Sequence, residues 1–362
     1  MSRINVTKSY LPPYEEYEYY LKGIWNRGYL TNQGPLLHEF QNLVEQKLDL
    51  KNFHFISNGT IAIQIAFKAL GITEGEVITT PFSYVATTSA ILWEHLTPVY
   101  ADIDDKTFCI DAQKIEDLIT TRTKAILAVH VFGNACDVEN IERIAKKYNL
   151  KVIYDAAHAF GATYKGKSLL SYGDISTVSF HATKLIHTIE GGGIVCKNKD
   201  ISNKVELIKR FGHDADEHIM LGINAKSSEF QAAMGLCTLN HLDEIIRQRK
   251  KLTLHYDKYL KPHLTKQLCT NDTLNYSYYP VVFINEQTLL SVKSALEANE
   301  IFPRRYFYPS LNNLGYLEEI SKVSCPASES LTKRILCLPL YPDLEIEVVE
   351  RISEIVLKHV QS

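Results

Sequence analysis

Residues 124–158 read KAILAVHVFGNACDVENIERIAKKYNLKVIYDAAH. Lys124–Val131 is a run of apolar, partly β-branched residues, which predicts a strand buried on both faces. Val138–Tyr148 carries apolar residues at helical spacing, and Lys151–Tyr154 is a second buried-type strand that runs into Asp155. Strand, helix and strand in so short a span predict a parallel pair with a crossover helix. The rhythm extends upstream. Strands are expected at Phe53–Ser57, Glu76–Thr80 and Pro98–Ile103, and helices at His38–Leu50, Ile61–Leu70, Tyr84–His95 and Ala112–Thr120. Two strands follow downstream, Ile175–Phe180 and Gly193–Cys196, too close together for a helix between them.

Beyond this region the pattern changes. Ser227–Leu260 reads as long helix with a break near Asn240. A strand at Tyr278–Ile284, a helix at Leu289–Asn299, a Pro- and Tyr-rich loop and a last helix at Ile346–His359 complete the chain. The fold class is α/β: a large, mixed, mostly parallel sheet domain plus a small C-terminal α+β domain. The expected division is an N-terminal arm and helix over 1–30, a large domain over 31–240 and a small domain over 241–362. A chain of 362 residues suits about two domains.

Composition narrows the function classes. Lys plus Arg is 39 and Asp plus Glu is 42, a formal net charge of −3. There is no basic field to make nucleic acid the expected partner. No apolar run approaches the roughly 20 residues that span a bilayer. Met1–Tyr20 is rich in Tyr and Glu and has no apolar stretch of signal-peptide type. The 7 cysteines form no C-x-x-C pair, so reduced thiols in the cytoplasm are expected. The 13 histidines show no metal-ligand spacing, so no metal is expected.

Three polar clusters stand at strand ends, where a buried sheet needs none. Ser57-Asn58-Gly59-Thr60 precedes a helix, where free N–H groups and a hydroxyl suit a phosphate; it also reads as a simple N-cap. Asp155-Ala156-Ala157-His158 follows a buried strand, where a carboxylate needs a cation, a cap role or an ion pair. Ser179-Phe180-His181-Ala182-Thr183-Lys184, followed by Glu190-Gly191-Gly192-Gly193, offers a lysine that is either surface-solvated or desolvated and nucleophilic. Together they are the parts that pyridoxal 5′-phosphate needs: an anchor, a partner for the ring nitrogen and an amine for the aldehyde.

These stretches resemble the DegT/DnrJ/StrS family of pyridoxal phosphate-dependent sugar aminotransferases, of the aspartate aminotransferase fold type I. The resemblance also takes in Gly28–Pro35, Pro81–Thr87, Gly222–Lys226 and Pro303–Pro309. It implies that Lys184 condenses with the cofactor aldehyde and that Asp155 pairs with the pyridine nitrogen. It implies Gly59, Thr60 and Ser179 at the phosphate, Tyr84 stacked on the ring and His158 near the 3-hydroxyl. Asn224 then reaches the phosphate of the neighbouring subunit, so that a homodimer shares its active sites. Lys226 departs from the arginine common in relatives.

The family implies L-glutamate as amino donor, pyridoxamine phosphate between the half reactions and a nucleotide-linked keto sugar as acceptor. His181-x-x-Lys184 with Glu190-Gly191-Gly192 is similar to relatives acting at C4 rather than C3. The expected substrate is dTDP-4-keto-6-deoxy-D-glucose, for a lipopolysaccharide O-antigen sugar, with UDP- or GDP-sugars and C3 amination as alternatives. Lys22, Arg304 and Arg305 are candidates for the diphosphate, and Tyr29, Thr31, Tyr308, His181 and Glu190 for the sugar groove. A sugar dehydratase on this scaffold would carry histidine in place of Lys184, and a non-catalytic regulator would not need Lys184, Asp155 and Thr60 together.

Overall fold

The computed structural model describes residues 3–317 and 323–360. A 7-stranded sheet is central, in the spatial order Phe53–Ile56, Gly192–Cys196, Ile175–Ser179, Lys151–Asp155, Thr123–Val129, Glu76–Thr79 and Thr97–Tyr100. Gly192–Cys196 runs antiparallel to both of its neighbours, and the other strands are parallel. Successive side chains of a strand point to opposite faces. Ile126 and Tyr154 therefore join one core, while Leu127 and Ile153 join the other. Helices cover both faces, which is why these strands read as apolar throughout rather than alternating.

The edge strand Phe53–Ile56 is protected by side chains. Its outward N–H groups at Phe53 and Phe55 donate to Glu45 Oε1 and Gln41 Oε1 of the helix Pro35–Leu48, each at 2.8 Å. Capping an exposed edge in this way prevents further strand pairing.

The C-terminal part has its own core. Strands Tyr279–Val282 and Ile335–Leu338 pair antiparallel. Against them pack the helices Leu242–Leu260, Glu286–Glu297 and Ile346–Val360, burying Tyr256, Phe283, Leu296 and Val356. Ile4–Asn5 pairs parallel with Ile301–Phe302, so the start of the chain is stitched into this part. The helix Glu229–Asn240 gives way to Leu242–Leu260 at His241, the break expected near Asn240.

One element differs from expectation. Ala112–Thr120 is not an α-helix but two 3₁₀ turns, Ala112–Lys114 and Glu116–Leu118. Its apolar residues Ala112, Ile115 and Leu118 recur every third position, the period of a 3₁₀ helix. Asp111 caps the first turn by accepting from the Gln113 N–H at 3.0 Å.

Two buried carboxylates act as helix caps from far along the chain. Glu229 accepts the N–H groups of Leu36 and Leu37 at 3.1 and 3.0 Å. Asp102 accepts those of Ala327 and Ser328, each at 2.9 Å, at the start of the helix Pro326–Arg334. A helix N-terminus presents unpaired donors and a positive dipole end, so an anion suits it. Glu229→Ala leaves two buried donors without an acceptor. A loss of about 2–3 kcal/mol is expected in urea unfolding of the cofactor-free protein; an unchanged midpoint would contradict the capping role.

Candidate active site

The parallel strands end on the same side of the sheet, where Val129, Asp155 and Ser179, each the last residue of its strand, line one cavity of about 660 Å3. Such crevices outside the carboxyl ends of the strands are where ligands bind in open α/β sheets. Asp155 closes the strand Lys151–Asp155, Ser179 closes Ile175–Ser179, and Gly59 opens the helix that follows Phe53–Ile56. All three line the cavity together with Lys184.

Lys184 lies on the loop joining the antiparallel strands Ile175–Ser179 and Gly192–Cys196. That loop is closed by Phe180 N–H to Gly191 O at 2.8 Å and Thr188 N–H to Phe180 O at 2.9 Å. Burial lowers the Lys184 pKa, opposed by the charge of Asp155 and by Tyr84. The amine is thereby brought toward its neutral, nucleophilic form.

Asp155 is buried. Its Oδ1 accepts from the Ala157 N–H at 3.1 Å and its Oδ2 from the Thr87 hydroxyl at 3.0 Å. Burial raises its pKa, while these two bonds and Lys184 hold it down. A charged partner at this carboxylate would offset the cost of its burial.

His158 is packed against rings on both sides of the cavity wall. It stacks on Phe307 with an interplanar angle of 2° and meets the Tyr278 ring at 63°. Its Nδ1 accepts from the Phe132 N–H at 3.2 Å, which assigns the proton of the neutral ring to Nε2. Burial, then the charge of Lys184, push its pKa well below the ordinary value.

The start of the helix Gly59–Ala69 forms a cradle. Asn58 caps it, accepting from the Ile61 N–H at 2.9 Å. The N–H groups of Gly59 and Thr60 precede the first intrahelical bonds and have no carbonyl within the helix. A Cβ on Gly59 would stand 3.0 Å from the Ser179 Cβ, and one on Gly192 would stand 2.3 Å from the Asn58 carbonyl carbon. Glycine is what lets the Asn58–Gly59 turn and the lysine hairpin touch. Free N–H groups, the Ser179 hydroxyl, a buried carboxylate and a desolvated amine fit pyridoxal phosphate.

Other candidates divide into two groups. Tyr84, His181, Glu190 and Arg304 line the cavity. His181 Nε2 stands 3.5 Å from Glu190 Oε1. The Arg304 backbone is fixed by two bonds to Cys337, at 3.1 and 2.8 Å. Arg305 instead pairs with Glu286 at 2.6 Å and lies over the Tyr308 ring, away from the cavity lining. Lys22 pairs with Glu18 at 2.9 Å on the helix Tyr14–Arg27. Tyr29 and Thr31 are exposed, with the Tyr29 hydroxyl donating to Asn32 O at 2.8 Å. Asn224 is exposed too, and does not line the cavity of its own chain.

Sequence reasoning missed Tyr278, Tyr306, Phe307 and Ser83, which also line the cavity. Ser83 lay in the Pro81–Thr87 stretch, and Tyr306 and Phe307 in Pro303–Pro309, but Tyr278 offered no signal beyond its place in an expected strand. No group of three or more His, Cys, Asp or Glu that could hold a metal occurs among the described residues. No helix among them is long and apolar enough to cross a membrane.

Residues 14–357 match the model of the DegT/DnrJ/EryC1/StrS aminotransferase family. A dTDP-4-amino-4,6-dideoxy-D-glucose transaminase of Shigella dysenteriae is 40% identical over 356 residues, covering 96% of this chain and 97% of that protein. The crystal structure of DesI in the presence of its TDP-sugar product superposes with a TM-score of 0.93 at 29% identity, covering 100% of this chain and 94% of that one. The Bacillus subtilis protein NtdA with bound cofactor PMP gives 0.88 at 27% identity, covering 96% and 82%. The chain belongs to the DegT/DnrJ/EryC1/StrS aminotransferase family, and its cofactor is pyridoxal phosphate.

Gly192→Ala puts a methyl group into the Asn58 carbonyl and forces the Asn58–Gly59 turn away. We expect cofactor affinity to fall about tenfold and stability by about 1–3 kcal/mol, read by fluorescence titration and urea unfolding. Wild-type affinity in this variant would refute the close approach. His158 is expected to stay neutral as the pH falls through the ordinary histidine range, because burial and the charge of Lys184 depress its pKa. A titration of its ring proton in that window, followed by NMR, would contradict its depressed pKa.

Proposed function

We propose that the protein transfers the amino group of L-glutamate to C4 of dTDP-4-keto-6-deoxy-D-glucose, giving dTDP-4-amino-4,6-dideoxy-D-glucose for O-antigen or other surface polysaccharide. The observation that carries the reading is the desolvated Lys184 amine beside buried Asp155 in a cavity that also holds His181, Glu190 and Arg304. The name of the Shigella dysenteriae relative supports the sugar and the position aminated. The reaction belongs in the cytoplasm, where nucleotide sugars serve as donors for polysaccharide assembly.

Bound pyridoxal phosphate supplies an electron-withdrawing ring and an aldehyde that can carry nitrogen between two substrates. Gly59, Thr60 and Ser179 would hold its phosphate, and Asp155 would hold the proton on its ring nitrogen. Tyr84 would pack against its ring, and the Nε2–H of His158 would serve as a donor to its phenolic oxygen. The Lys184 amine would take the proton from the α-carbon of glutamate in the first half reaction. It would be the acid at the sugar carbon in the second. Arg304 is the cavity's guanidinium for the diphosphate, and the His181–Glu190 pair faces the sugar.

The working unit is a homodimer with shared sites. Phe211, Ile219, Leu221 and Ile223 are all exposed on the segment that leads to Asn224. An apolar cluster of this kind favours burial against another surface. Asn224 on the same segment is then placed to reach the partner's phosphate.

Incubation with L-glutamate and dTDP-, UDP- or GDP-linked 4-keto-6-deoxyglucose is the direct test. Amino sugar and 2-oxoglutarate are expected with the dTDP substrate, detected by mass. Preferred turnover of another nucleotide, or an amine at C3, would overturn the assignment. Lys184→Ala should lower turnover by about 10³-fold or more. Asp155→Asn should cost about 10²-fold with little change in melting temperature; full activity in either variant would remove that residue from the mechanism.

A further inference from the structure

We propose that Thr87 and Ser83 form a hydrogen-bond chain that orients the Asp155 carboxylate toward the cofactor ring and keeps it ionised, making Thr87 a positioning residue for the reaction. The Thr87 Oγ1 stands 3.0 Å from Asp155 Oδ2, and the Ser83 Oγ stands 2.8 Å from Thr87 Oγ1. All three side chains are buried, and Ser83 and Asp155 line the cavity while Thr87 stands behind them.

Proton counting fixes the direction of the chain. An ionised carboxylate only accepts, and a threonine hydroxyl has one hydrogen to give. That hydrogen goes to Asp155, so Thr87 accepts from Ser83. Two aligned hydroxyls thus end on one charge, and each bond polarises the next. The Ala157 N–H takes the other oxygen at 3.1 Å. The carboxylate plane is thereby held at both ends.

A helix threonine commonly donates to the carbonyl one turn back. Thr87 is the second residue of the helix Ala86–Trp93, and its hydroxyl is spent instead on a residue 68 positions away. The start of a helix also favours an anion nearby. Valine would fill the same volume, so shape alone does not call for the hydroxyl. The balance at Asp155 explains the need. Burial pushes its pKa up, and the bonds from Ala157 and Thr87 oppose that, followed by the charge of Lys184. Lys184 is the charged group bearing on Asp155, since His158 is held neutral. Without the Thr87 donor the carboxylate takes up a proton at higher pH and loses its hold on the ring nitrogen.

This rests on Asp155 facing that nitrogen, and the experiment separates the two. Apo protein is titrated with pyridoxal phosphate across pH 5–9 for wild type, Thr87→Val, Thr87→Ser, Ser83→Ala and Asp155→Asn. Thr87→Val should bind about tenfold more weakly, with the acid-side loss of affinity moved up by about one pH unit, and Thr87→Ser should stay within about twofold of wild type. Ser83→Ala should move both readouts the same way by about threefold. Unchanged affinity and pH profile in Thr87→Val, or equal loss in Thr87→Ser, would overturn the chain. If Thr87→Val does not fold, Ser83→Ala decides, and an unmoved Ser83→Ala overturns it. An inert Asp155→Asn would sink the reading of Asp155 itself, whereas a weakened Asp155→Asn beside an inert Thr87→Val sinks only the chain.

Discussion

A buried carboxylate at the end of an inner strand sets the terms for everything around it. Asp155 can stay charged there only if donors and a cation surround it. The Ala157 N–H, the Thr87 hydroxyl and Lys184 meet that need from three different elements. They converge because the strands run parallel and so finish on one side. An antiparallel arrangement would scatter the same residues over both ends of the sheet. The one reversed strand, Gly192–Cys196, brings the lysine loop back over the cavity. Its glycine at 192 lets that loop rest on the start of the helix Gly59–Ala69.

Much of this was legible in the sequence because the relevant signals are local. Buried parallel strands read as apolar runs, and the βαβ rhythm follows from them. Polar residues at strand ends stand out against that background, which is how Ser57–Thr60, Asp155 and Lys184 were found. The break after Asn240 was equally local. Other features were not. The helix Lys199–Ile208 and the pair Pro326–Arg334 and Ile335–Leu338 went unassigned, although Asn198 as cap and Pro326 at the first turn were signs of helix starts. The short strand Ile4–Asn5 exists only because Ile301–Phe302 offers an edge, and two residues carry no period of their own.

Long-range capping was illegible for a related reason. Glu229 and Asp102 look like ordinary surface acids in the sequence. Their partners lie 192–193 and 225–226 positions away along the chain. Charge that must be buried is placed where a helix start supplies donors, and only the tertiary arrangement says which start. The same holds for Arg304 and Arg305. Adjacent in sequence and equal as candidates, they diverge because one side chain faces the cavity and the other meets Glu286.

The C-terminal part is a wall of the site as well as an appendage to it. Asn275 donates to the carbonyls of His158 and Phe160, at 2.7 and 2.9 Å, and the Ser277 hydroxyl donates to His158 O at 3.1 Å. Ser277 O in turn accepts from buried Arg249 at 3.0 Å, and Leu340 O accepts from the same nitrogen at 3.1 Å. His158 is thus held through its backbone by one part of the chain and presented to a cavity lined by both. A ligand that binds only the assembled cavity stabilises every contact needed to assemble it. A ligand filling this cavity must therefore tighten the packing of the C-terminal part as well as that of the sheet and its helices, since Tyr278, Arg304, Tyr306 and Phe307 line it beside Asp155 and Ser179.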